Sequence, residues 1–538
     1  MSTVSKPAAA AAAGGMVLVT LASSQFLMAL DASVMNVSIA SVANDLGTTV
    51  TGVQTAITAY TLVMASLMIT GGKVGALIGR KRAFRIGTVV YAAGSLTTAL
   101  APNLTVLIIG WSGLEGIGAA LIMPAVVALV ASNFPSDRRT AAYGAVAAAG
   151  AIAVAAGPII GGAVTTSFSW RWVFVGEVFV AMTILVLAGR LADPPLEERR
   201  RIDFVGVLLS IIGLAAVVLG VLKSSAWGWV TPKPGATTVL GLSPTIWMVS
   251  GGLVVLWLLF RWESRVEARG ADPLIHRDLV QNRRLRNVLT LFGSQFFMQA
   301  GVFFTIPLFL SVILGLSALE TGLQLLPLSV GLLLAAIGIP RVWPDASPRR
   351  VVRIGLLMML AGTAALVGGL EPGAEAGVVL IPLALIGIGI GALASQLGAQ
   401  AVASCDESQA AEVGGLQNTA TNLGASLGTA LVGSLLIAAL TTSLGTALAA
   451  DPHVSSDVRS KVTVKTEGGA PFVSDAQLEQ ALKEANVPAQ EAEAVVEANR
   501  KARYDGLRVS LSVVLLVGIA ALFLSGALPT EALSRAET

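Results

Sequence analysis

Charge is what this chain has least of. Only 12% of its 538 residues are Asp, Glu, Lys or Arg, against about 25% in an ordinary soluble domain. So few charges cannot cover a water-facing surface of this length, which excludes a soluble protein. Cysteine and histidine are scarcer still: one cysteine, Cys405, and two histidines, His276 and His453. A lone thiol excludes a disulfide framework within the chain, and this supply of ligands excludes an all-protein zinc site. No nucleophile–His–acid set, metal-ligand cluster or Walker loop can be read from the sequence. That argues against an enzyme, and against an ATP-driven pump within this chain. The formal charge of +3 gives no sign of a nucleic-acid partner.

What the chain has is apolar length. Hydrophobic residues make up 54% of it, with a mean hydropathy of +0.78. A spanning helix needs about 20 mostly apolar residues. The runs are apolar throughout, whereas strands of a membrane barrel would alternate, so the spans are helices. Broken at charged clusters, prolines and glycines, the chain gives fourteen spans: 16–44, 52–73, 83–101, 104–131, 139–165, 171–190, 203–222, 245–262, 285–314, 318–340, 351–370, 376–399, 410–440 and 506–528. The N-terminal stretch carries a single lysine and no cleavage-site pattern, so the first run is expected to be a retained helix.

Basic residues orient the spans. Lys73, Arg80, Lys81, Arg82 and Arg85, then Arg138 and Arg139, then Arg199 to Arg201 fall on one side. Arg265, Arg269, Arg277, Arg283, Arg284 and Arg286, then Arg349, Arg350 and Arg353 join them. The other side's short loops hold little beyond Arg171, Lys223 and Lys233. The basic side is expected to be cytoplasmic, and an even span count then puts both termini there. The polar segment 441–505 would lie outside, as a solvated spacer or a lid. Within it, Ser474 and Gln477 form a capping-box pattern, and Pro488 is placed to start a helix running into the last span.

Three stretches carry motifs. GGKVGALIGRKR, Gly71–Arg82, follows the second span and pairs glycines with a basic cluster. GPIIGG, Gly157–Gly162, lies in the fifth span, where small residues let helices approach and Pro158 permits a bend. Trp170, Arg171 and Trp172 open the sixth span as an interfacial aromatic anchor.

Taken together, these stretches resemble the major facilitator superfamily, in its fourteen-helix drug:H+ antiporter branch. ALDASVMNVSIA, Ala29–Ala40, is similar to that branch's first-helix motif, with Leu30, Asp31, Asn36 and Val37 matching. The turn motif matches through Gly72, Gly79, Arg80, Lys81 and Arg82, and the antiporter motif through Gly157, Pro158, Gly161 and Gly162. The resemblance implies an all-α integral membrane fold of two six-helix halves, 1–190 and 285–538, with two extra helices in a linker, 191–284. It implies a proton gradient as energy source, no cofactor, a small-molecule substrate, export as the direction, and function as a monomer in the cell membrane. Three stretches, five positions in all, depart from the family pattern. Ala76 and Leu77 replace the turn motif's Asp and Arg. In the fourth span Ser112 replaces an Arg implicated in proton coupling, and Glu115 replaces a Gln. Glu177 stands where the sixth span usually has Asn.

Asp31 lies about 22 Å into its helix at 1.5 Å per residue, near mid-membrane. Glu115 is expected at similar depth and Glu177 shallower, free to pair with Arg171. A charge at the bilayer centre costs at least about 2.5–3.5 kcal/mol, and no Lys or Arg lies in the central turns of the first six spans. A carboxyl so placed binds and releases a proton according to which side it faces, so Asp31, Glu115 and Glu177 are the proton-coupling candidates. Asp31 and Glu115 have a plainer alternative as neutral, hydrogen-bonded packing groups, and Glu115 a further one as a direct contact for a cationic substrate; for Glu177 the alternative is a pair with Arg171, imperfect at an offset of six residues. The second half offers amides and aromatics. Gln295, Phe296, Gln299 and Phe303 of the ninth span, Asn418 and Asn422 of the thirteenth, and Asn36 of the first are substrate-cavity candidates, with helix packing as their alternative. The function expected is a proton-coupled exporter of amphipathic or cationic organic compounds. Export of a single endogenous metabolite, lipid or envelope precursor is the alternative within transport. A non-transporting membrane receptor or scaffold is the alternative outside it.

Overall fold

A computed structural model describes residues 5–193, 203–233, 236–271, 273–343, 345–405, 410–452, 454–456, 458–459 and 472–530. Of the residues used for orientation, Arg199, Arg200 and Arg201 lie outside this set. Among the described residues the protein is all-helical apart from one isolated bridge, Val239 to Leu242.

The first half comprises α1 (Ser5–Asp45), α2 (Val50–Ile78), α3 (Arg80–Ala99), α4 (Leu104–Asn133), α5 (Ser136–Ser167) and α6 (Arg171–Leu187). The linker holds α7 (Phe204–Trp227) and α8 (Pro244–Ala268). The second half comprises α9 (Arg283–Ile313), α10 (Ala318–Gln324 and Leu326–Val342, bent by 41°), α11 (Pro348–Gly369), α12 (Ala376–Ala401), α13 (Ala410–Ala450) and α14 (Ala489–Leu524). Twelve of these helices are long and apolar enough to cross a membrane, and α10 is a thirteenth when its two pieces count as one span. α3 is the exception because four of its first six residues are Arg or Lys.

Side-chain caps start several helices. Thr49 accepts from the Gly52 amide at 3.1 Å, Asn103 from Val106 at 3.1 Å and Asn282 from Leu285 at 3.1 Å. Each satisfies a donor that the first turn leaves open. Only Gly79 separates α2 from α3; its φ of 101° is open to glycine and costly for other residues.

The halves meet along α2 with α13 and along α5 with α10. Gln54 Nε2 donates to the Thr429 carbonyl at 2.9 Å, and Ser426 Oγ donates to the Thr58 carbonyl at 3.1 Å. α5 and α10 touch backbone to backbone: a Cβ on Gly162 would stand 2.4 Å from the Ala318 oxygen, and one on Gly322 2.1 Å from the Pro158 oxygen. These seams lie toward the end of the bundle away from the arginine clusters. Toward the basic end the seam loosens: residues 414–420 of α13 are half-buried, while 421–440 are mostly buried. α7 packs on α2 and α13 through Leu62, Leu214, Val218, Val221, Leu222 and Ala430.

The polar segment is a built structure where it is described. Ser474 and Gln477 form the expected capping box at the start of helix Asp475–Glu484. α14 does begin after Pro488. Arg503, 1% exposed, pairs with Asp475 and donates to the Val473 carbonyl at 3.0 Å. Gln477 Nε2 reaches across to Asn44 Oδ1 of α1 at 3.0 Å.

Candidate functional site: a buried carboxyl trio

α1, α4 and α6 bring Asp31, Glu115 and Glu177 together inside the first half. One oxygen from each lies within 4.8 Å of the others, and the residues are 1%, 0% and 2% exposed. The plainer alternative for Glu177, a pair with Arg171, is not formed. Arg171 instead pairs with Asp45, donates to the Ala101 carbonyl at 2.7 Å and lies over the Trp170 ring. Six residues of helix carry Glu177 well away from that interfacial arginine.

Each acid has its own donors. Trp111 Nε1 donates to both Asp31 oxygens, at 2.8 and 3.0 Å, and the Trp111 indole stacks on Tyr60 with centroids 4.9 Å apart. Tyr91 Oη and Ser95 Oγ donate to Glu177 Oε2 at 3.3 and 3.2 Å. Thr98 Oγ1 lies 3.2 Å from Glu115 Oε1. Glu115 Oε2 and Glu177 Oε1 are buried with no partner. No Lys or Arg among the described residues contacts the trio.

Local sequence builds this pocket. Ile108–Glu115 winds as a π-helix, a form that is rare and frequent at functional sites. It carries both Trp111 and Glu115. Gly94 makes room, since a Cβ there would stand 2.5 Å from Glu115 Cγ. Ser112, at the family's arginine position, donates to the Ala56 carbonyl of α2 at 2.8 Å. It fixes α4 to α2 and brings no charge.

Two unit charges about 5 Å apart repel by about 3 kcal/mol at an effective dielectric near 20. Three neighbouring anions with no cation are therefore not sustainable, and the trio must hold protons or a cation. Its oxygen-only set suits a hard ion, not zinc. All three acids are buried within the first half. The stacked Tyr60 and Trp111 rings lie beside Asp31.

The remaining candidates for the substrate cavity lie on α9, α13 and α1, and α9 packs on α13. Gln295 and Phe303 are buried, and Phe296, Gln299, Asn418, Asn422 and Asn36 are half-buried. Asn36 and Asn422 donate within their own helices, to Ala32 at 2.7 Å and Asn418 at 2.9 Å. Gly157 and Gly161 pack on Ser33 and Val34 of α1. Trp170 is buried and donates to Asp45 at 2.9 Å, so only the exposed Trp172 acts as a belt residue.

At the turn between α2 and α3, Arg80 Nη1 donates to the Gly72 carbonyl at 2.6 Å, while Arg82 is exposed. Lys81 Nζ bonds the Gly189 and Leu191 carbonyls at 2.8 and 2.6 Å, and its amide donates to Asp193 Oδ1 at 3.0 Å. Asp193, after α6, supplies an acid beside the helix start where Ala76 lacks one. Sequence reading missed Asp193, Tyr60, Tyr91, Ser95, Thr98 and Trp111. Of these only Trp111, an indole in mid-span, carried a usable signal.

The major facilitator superfamily model matches residues 21–429, and the chain belongs to that family. Relatives include the puromycin resistance protein of Streptomyces alboniger, 32% identical over 78% of this chain and 81% of that protein. Another is the multidrug resistance protein Stp of Mycobacterium tuberculosis, 26% identical over 81% of this chain and 77% of its own. A third is the cephamycin export protein of Amycolatopsis lactamdurans, 28% identical over 77% and 83%. Among solved structures, a bacterial homologue of the human lysosomal transporter Spinster, in an inward-facing unoccupied conformation, superposes with a TM-score of 0.61. It is 12% identical and covers 96% of this chain and 98% of its own, which speaks for the fold.

Proposed function

We propose that this multi-pass membrane protein is a proton-coupled exporter of amphipathic or cationic organic compounds. The observation that carries the coupling is the trio itself: three acids, fully buried, with two orphan oxygens and, among the described residues, no Lys or Arg against them. Such a group exchanges protons only when the helices around it move, which links protonation to conformation. The relatives' resistance and export names support drug-like cargo. Several carry the name of a single antibiotic, which favours export of one compound as the second reading.

With the basic end taken as cytoplasmic, both termini lie inside, and the closed seams of α2 with α13 and α5 with α10 seal the outer face. In this cycle the substrate enters from the inner side among the amides and aromatics of α9 and α13. The halves then rock, and the trio takes up protons from outside. No cofactor is required, and one chain holds both halves of the pathway.

The test is proton flux in proteoliposomes under an imposed pH gradient, with a panel of lipophilic cations and neutral amphiphiles. Substrate-triggered proton movement, lost in Asp31→Asn and Glu115→Gln, supports the reading. Downhill transport without proton movement, unchanged in both variants, rejects it.

A further inference from the structure

The arginine-rich end of α8 holds a cleft of about 540 Å³ that export does not use. Trp257, Phe260, Arg261, Arg265, Arg277 and Gln281 line it. Arg261 lies over the Trp257 ring, 4.6 Å from its centroid. Gln281, with its carboxamide oxygen turned inward, accepts from Arg277 Nε at 2.6 Å. All three arginines are exposed, and among the described residues none of them forms an ion pair. One carboxyl, Glu263, also lines the cleft. It is 4% exposed, and its Oε2 is taken by the Leu274 amide at 2.6 Å.

The cleft therefore offers a single anion three exposed guanidinium groups, none of them in an ion pair among the described residues, beside one buried carboxyl. Guanidinium forks match phosphate oxygens in pairs. The surface leading to the cleft is apolar: Leu253, Val254, Trp257 and Leu258 of α8 are 43–56% exposed, on a helix only 17% buried within the protein. A free phosphate would fill the basic end and leave that apolar face without purpose. A phospholipid engages both, with acyl chains along α8 and the head group among the arginines.

We infer that this cleft binds the phosphate head group of an anionic phospholipid. The inference needs only that α8 lies in the bilayer, and stands whatever the cargo. Basic pockets at the membrane face are the recognised setting for such lipids.

The delipidated full-length protein is examined by native mass spectrometry with phosphatidylglycerol, with phosphatidylcholine of the same chains, and with inorganic phosphate. Wild type is expected to retain one phosphatidylglycerol with a preference over phosphatidylcholine on the order of 10- to 100-fold. The variant Arg261→Gln/Arg265→Gln/Arg277→Gln should lose that preference. The off-site variant Arg286→Gln/Arg350→Gln should keep it, as should replacement of the three arginines by lysine in part. Equal retention of both lipids by wild type overturns the inference. So does undiminished preference in the triple glutamine variant, or displacement of the lipid by millimolar inorganic phosphate. If the triple variant does not fold, Arg265→Gln alone is scored for loss of the thermal shift that phosphatidylglycerol gives wild type. An equal shift then counts against the site.

Discussion

The two halves share a helical plan and differ in what they bury. α1, α4 and α6 enclose Asp31, Glu115 and Glu177. The described residues of α9 to α13 bury no carboxyl and no basic group within the bundle; their fully buried polar groups are Gln295, Gln400 and a set of Ser and Thr hydroxyls. The one fully buried charge farther on, Arg503 of α14, belongs to the polar segment and pairs with Asp475. Burying an acid in hydrocarbon is costly, and one half carries that cost three times over. Under the proposed function, the first half handles the protons and the second provides adaptable contacts and motion.

The largest expected effect comes from removing the chemistry. Asp31→Asn or Glu115→Gln should cut gradient-driven transport about 100-fold or more, a loss above about 2.7 kcal/mol, while downhill exchange in proteoliposomes survives. Giving the second half an acid should expose the asymmetry from the other side. Gln295→Glu is expected to cost about 2.5–3.5 kcal/mol, measured as lower yield and lower Tm, with no gain in proton movement.

A filled pocket comes next. Gly94→Ala places a methyl against Glu115 and should cost about 1–3 kcal/mol of stability together with most of the coupling. Trp111→Phe keeps the stack on Tyr60 and removes both hydrogen bonds to Asp31. Transport should fall about tenfold or somewhat more, near the lower end of the roughly 1.5–3 kcal/mol of a hydrogen bond to a charged group. The smallest effect belongs to the second half: Gln299→Ala should change apparent substrate affinity a few-fold, within about 1 kcal/mol, and leave the protons moved per substrate unchanged.

The fold was readable because hydropathy and basic loops operate span by span. The capping box at Ser474 and the helix start after Pro488 were equally local. α3 shows the limit. Its position follows from Gly79 and from the spans on either side, since Arg80, Lys81, Arg82 and Arg85 mask its hydropathy. The site was half legible. Asp31, Glu115 and Glu177 stood out as acids in greasy runs, but their meeting did not. That depends on how α6 rotates against α3 and on the π-turn in α4, neither of which leaves a periodic mark in sequence. Tyr91, Ser95 and Thr98 are ordinary residues of α3 until the packing turns them toward the acids. Arg171 misled because Asp45, its partner, is 126 positions away.

The most direct measurement is proton release on substrate binding by the purified protein in weakly buffered detergent. Wild type and Gln295→Ala/Gln299→Ala should each release protons in proportion to substrate bound. Asp31→Asn/Glu115→Gln/Glu177→Gln should bind substrate and release none. Release that persists undiminished in the triple variant would place the exchanging proton elsewhere and contradict the division of labour between the halves.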